Sequence, residues 1–135
     1  LGWAEEGEQG RRCRADLTVL EKSGFKVHKL PFPKKPVCFT EFEVAGFEPE
    51  EGEDQREVGE RLAASYVNFY ICNAAVLVPQ FGDENDEAAL QILAELFPDR
   101  KTVPIYARQL IIGGGNIHCL TQQIPAPLKR RGKAD

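Results

Sequence analysis

The chain has 135 residues, 42% of them hydrophobic, and a formal charge of −4. That is enough apolar material for one globular core, and so mild a charge argues against a nucleic-acid binder. No apolar stretch reaches the length of a membrane span and no secretory signal pattern is present, so a soluble protein of a reducing, cytoplasmic compartment is expected.

From Arg11 to Glu21 the apolar positions Cys13, Leu17 and Leu20 recur at helical spacing, and Gly24 is placed to stop the run as a C-terminal cap. Phe25 to Leu30 alternates apolar and polar residues, which predicts a strand ended by Pro31-Phe32-Pro33. The next stretch carries Pro36, Gly46, Pro49, Gly52 and acidic residues from Glu48 to Asp54, the composition of a surface loop rather than a core element. Ser65 to Ile71 is rich in β-branched and aromatic residues and Ala75 to Val78 is continuously apolar; with Cys72-Asn73-Ala74 as a tight turn, they predict a hairpin. The aromatic series Tyr66, Phe69 and Tyr70 is read as strand packing.

After Phe81-Gly82 a helix is expected with Asp83 or Asn85 as its cap. Asp86 and Glu87 complement its dipole, Ala89, Leu93, Leu96 and Phe97 share a face, and Pro98 ends it. Thr102 to Tyr106 is the returning strand, and Ala107 to Ile112 leads into glycines. The basic end, Lys129 to Lys133, reads as part of a solvated, disordered tail over 128–135.

The four cysteines are irregularly spaced without a C-x-x-C pair, and there are only two histidines, so neither a disulfide framework nor a metal site is predicted. Cys13 and Cys72 read as small, partly buried residues without chemistry, whereas Cys38, in a Pro-rich loop, is expected to be the more exposed.

The chemistry concentrates at Gly113-Gly114-Gly115-Asn116-Ile117-His118-Cys119. Three glycines at a strand end let the backbone take positive φ and let a substrate approach closely, and they deliver Cys119, a candidate nucleophile. Asn116 is expected to fix the turn by bonding backbone groups. His118, next to the cysteine in an extended segment, should face the other way and be structural. The run lacks the third glycine of G-x-G-x-x-G and lacks G-K-S/T, so the nucleotide-binding readings are weak.

With its continuation Leu120-Thr121-Gln122-Gln123, this segment closely resembles the nucleophile segment of the agmatine deiminase family, relatives of bacterial peptidylarginine deiminases. The resemblance extends through Arg61 to Ile71, Val78 to Asp83 and Leu96 to Arg100, and to Val27 to Pro31 with Phe39-Thr40-Glu41. It departs at Asn73-Ala74-Ala75, where the family usually has Asn-Gly-Gly, and over Glu5 to Arg14.

The resemblance implies a pentein-type α/β propeller of five ββαβ modules. The chain, with no methionine and Leu1 as its first residue, would be the C-terminal fragment of one catalytic domain spanning 1–135, holding one complete module and part of its neighbour. It also implies hydrolysis of agmatine to N-carbamoylputrescine and ammonia through a covalent intermediate on Cys119, as in putrescine biosynthesis, without metal or organic cofactor. Gly113, Gly114, Gly115 and Asn116 would shape the loop or contact substrate. The acid–base histidine and the guanidinium-binding carboxylates would lie upstream, and the complete enzyme would be a homo-oligomer with no nucleic-acid or membrane partner. Two alternatives stay open: a peptidyl- or free-arginine deiminase, and a non-catalytic α/β fragment or interaction module.

Overall fold

The computed structural model describes residues 1–48, 51–52 and 55–125; the basic tail and part of the acidic stretch from Glu48 to Asp54 lie outside the described residues. Two β–α–β units follow each other. In the first, β1 (Gly2–Trp3) and β2 (Leu30–Pro31) pair in parallel across helix α1 (Gly7–Lys22). In the second, β3 (Tyr70–Ile71) and β4 (Ala75–Gln80) form an antiparallel hairpin, and helix α3 (Asp86–Leu96) carries the chain to β5 (Lys101–Tyr106), parallel to β4. A short helix, α2 (Glu41–Ala45), lies between the units. The second unit therefore has the expected strand, strand, helix, strand order.

Helix α1 begins four residues before the expected start. Gly7 and Gly10 look like helix breakers, yet Gly10 is buried where a Cβ would stand 2.9 Å from the Glu5 backbone, so close approach explains its presence. Glu8 pairs with Arg12 one turn on, and Gly24 takes φ +82° just past the helix, as its stop position required.

The strand expected over Phe25 to Leu30 shrinks to Leu30–Pro31 because the unanticipated β1 offers only two residues to pair with; Phe25 is exposed instead. The connection from residue 31 to 60 is not merely a surface loop. Thr40 and Glu43 form a capping box that starts α2, Cys38 bridges to Arg61, and Phe39 is buried in the core against Phe47. Cys38 is accordingly half-buried rather than exposed, and Cys13 is fully buried.

The core lies between sheet and helix, with Val76 and Val78 of β4 against Ala89 and Leu93 of α3, and Tyr66, Phe81, Ala107 and Ile111 closing its end. α3 also packs against β2, tying the two sheets together. Its expected side-chain cap is absent: Asn85 is the N-cap residue but makes no capping bond. Asp86, the first helical residue, turns back instead onto the preceding loop, accepting the N–H groups of Phe81, Gly82 and Asp83 and the buried Tyr66 hydroxyl at 2.6 Å. Asp83 serves a different end, accepting the N–H groups of Lys34 and Lys35 and fastening the preceding loop to α3.

The strand expected from Ser65 to Ile71 is reduced to its last two residues. Tyr66 leaves the extended path in a turn to bury its ring, and Asn68 then points out of the sheet path toward the residues after β5. Because β3 runs against β4 while β5 runs with it, the start of β3 lies beside the carboxyl ends of β4 and β5. Crevices at such strand ends are the usual ligand sites of α/β sheets.

Candidate active site

Past β5 the chain does not continue as a strand into its glycines, as expected, but winds into a 3₁₀ turn over Leu110–Gly113 pinned by the fully buried Ile111. The three glycines then serve different ends. Gly114 ends the turn at φ +85°, a conformation L side chains rarely adopt. At Gly115 a Cβ would stand 2.8 Å from the Cys119 Cβ and 3.5 Å from its Sγ, so the cysteine lies directly on this backbone. Gly113 faces open space.

Asn116 is 1% exposed, and its Oδ1 accepts the Ile117 N–H at 2.8 Å. It thus bonds backbone as expected, with Nδ2 unpartnered among the described residues. A second 3₁₀ turn, His118–Leu120, presents the exposed Cys119. The extended geometry assumed for His118 is therefore incorrect. Its ring lies edge-on to Tyr70 at 6.3 Å and makes no hydrogen bond to Cys119 among the described residues.

The Asn68 amide reaches the sulfur, its Nδ2 donating from 3.1 Å. The Cys119 thiol is held below its ordinary pKa by the Asn116 backbone N–H first and the Asn68 amide second, with its own backbone N–H adding to them, against an opposing effect of burial. Asn68 also fixes the turn, its Oδ1 accepting the His118 N–H at 2.8 Å and its main-chain oxygen the same N–H at 3.3 Å. Sequence reasoning assigned no role to Asn68. Its one signal was a polar amide inside a β-branched and aromatic run, where asparagine is depleted. No metal-binding group of histidine, cysteine and carboxylate side chains occurs among the described residues.

The sequence model of the Porphyromonas-type peptidyl-arginine deiminase family matches residues 3–125. The chain belongs to that family. It is 55% identical over 134 residues to a Selenomonas ruminantium protein described as "Putative agmatine deiminase", covering 93% of this chain and 36% of the relative. Identity to the agmatine deiminase of Pseudomonas syringae pv. tomato is 45% over 137 residues, covering 96% and 37% respectively. The solved agmatine deiminase of Enterococcus faecalis superposes with a TM-score of 0.78 at 37% identity, over 92% of this chain and 36% of that one. The chain thus spans little more than a third of the length of these relatives. Its mixed α/β architecture is that of the family's solved structures. No helix among the described residues is long and apolar enough to cross a membrane.

Proposed function

We propose that this chain supplies the nucleophile of an agmatine deiminase, which hydrolyses agmatine to N-carbamoylputrescine and ammonia. The observation that carries the reading is the exposed Cys119 sulfur, held on a 3₁₀ turn with the Asn68 amide directed at it from 3.1 Å. The full-length protein is read as a five-module propeller in the cytoplasm, where thiols stay reduced; the β3–β4–α3–β5 unit and four free cysteines support that.

A guanidinium carbon is resonance-stabilised and resists water. The Cys119 thiolate forms an S–C bond to it, and the tetrahedral adduct expels one nitrogen as ammonia once that nitrogen is protonated. The planar S-alkylthiouronium that remains takes up water; the S–C bond breaks, returning the electron pair to sulfur, and the ureido product leaves. Binding the cationic substrate requires carboxylates with paired acceptors, and both steps require a proton-transfer group. These are expected outside the present residues.

The family description itself names peptidyl-arginine, which favours a second reading in which the same thiolate attacks an arginine side chain. Full-length protein mixed with agmatine, acid-quenched during turnover and peptide-mapped, tests both. An amidine adduct on the Cys119 peptide that is absent from Cys119→Ser is expected. No adduct, with ammonia still released by Cys119→Ser, would refute the covalent role, and turnover of peptidyl-arginine but not agmatine would select the second reading.

A further inference from the structure

Asn68 and Cys119 are 51 positions apart, on segments flanking the two outer strands of the β3–β4–β5 sheet, yet the Asn68 amide makes one contact to the Cys119 sulfur and a second to the neighbouring His118 N–H. The orientation of the amide follows from chemistry. The His118 N–H can only donate, so the group facing it at 2.8 Å must be Oδ1, and Nδ2 is then turned to the sulfur at 3.1 Å. A donor directed at Sγ suits the anion, which only accepts, better than the thiol. His118 and Tyr70, titratable side chains on the turn and on β3, face each other, and none of the ion pairs among the described residues includes either of them.

We propose that Asn68 sets the reactivity of Cys119, its Oδ1 holding the His118 N–H so that the turn stays in place and its Nδ2 hydrogen-bonding the sulfur as a thiolate. Its part in turnover rests on the deiminase reading above. There the bond acts twice, on the thiolate before the S–C bond forms and on the same thiolate as it is expelled when water displaces it. The lowered thiol pKa agrees with this arrangement.

The test is iodoacetamide alkylation of Cys119 in the full-length protein, followed by peptide mapping from about pH 5 to about pH 9, a span that brackets ordinary and activated thiols. Asn68→Ala is expected to move the midpoint upward and to slow alkylation at neutral pH about fivefold or more, the scale of a hydrogen bond to a charged group. The rate at high pH should match the parent's, since the sulfur is as accessible as before. Asn68→Asp is isosteric and still accepts the His118 N–H but cannot donate to sulfur, so it should show at least as large an upward move. Profiles of both variants superimposable on the parent's would overturn the proposal. Alkylation needs no substrate, so its outcome is separable from that of the deiminase reading: a moved profile in a protein that leaves agmatine untouched refutes only the latter. With agmatine as substrate, Asn68→Asp should lower kcat while leaving KM nearly unchanged.

Discussion

The Cys119 Cβ lies where a Cβ on Gly115 would be only 2.8 Å away, a separation that real Cβ atoms do not show. The Asn68 contact to the sulfur depends on this seating of the cysteine on a bare backbone. Gly115→Ala should therefore displace the sulfur and lower kcat by about two orders of magnitude, the scale of an ångström-sized misplacement. Gly113→Ala is the matched control, since a Cβ there meets nothing within 4 Å, and steady-state kinetics of the pair check the difference.

Gly114 sits at φ +85°. Gly114→Ala should cost about 1–2 kcal/mol, the penalty of a left-handed conformation for an L residue, and should lower the thermal midpoint measured by calorimetry.

Among the four cysteines, Cys119 is exposed, Cys38 and Cys72 are half-buried and Cys13 is buried. Substoichiometric iodoacetamide should modify Cys119 first. The preference should widen on mild acidification, because the Cys119 thiol is held below the ordinary range. Peptide mapping of the alkylated protein reads the order directly.

The Tyr66 hydroxyl is buried, and burial first, then the hydrogen bond to Asp86, push its pKa well above the ordinary phenol range. Tyr66→Phe leaves an Asp86 oxygen with one donor fewer and should destabilise the protein by about 1–3 kcal/mol in urea denaturation. Asp86→Ala, which also strands the N–H groups of Phe81, Gly82 and Asp83, should cost more.

Asp83 has a lowered pKa: burial would raise it, but the Lys34, Asn85 and Lys35 N–H groups together outweigh that. With the folded value below the unfolded one, its contribution is fully present above the unfolded pKa and lost as pH falls through the folded one. The thermal midpoint of the parent should thus fall between roughly pH 5 and pH 3, and Asp83→Asn should flatten that part of the decline.

Much of this was legible along the chain. The hairpin, α3 and β5 follow from periodicity and turn residues, and Cys119 follows from its glycine run. The Thr40-x-x-Glu43 capping box is also in plain view, but the proline- and acid-rich composition around it outweighs it and predicts a loop where α2 forms. β1 could not be seen, because two residues carry no period; its existence depends on Leu30 and Pro31, 28 positions downstream. The 3₁₀ geometry after β5 comes from burial of Ile111 and Ile117, a tertiary effect that local alternation does not record. Asn68 stayed hidden for the same reason, since its partners are 50 and 51 residues away.

Asn68 precedes one outer strand of the sheet and Cys119 follows the other, and the tight turn Cys72-Asn73-Ala74 fixes how far β3 has advanced along β4. One residue inserted in that turn would slip the pairing of Tyr70 with Leu77 and carry Asn68 past the sulfur, while Gly113 to Cys119 stayed letter-perfect. A relative can therefore keep the whole glycine–cysteine signature and be inert, and the length of a distant hairpin turn is the feature by which such a pseudoenzyme would be told from a working one.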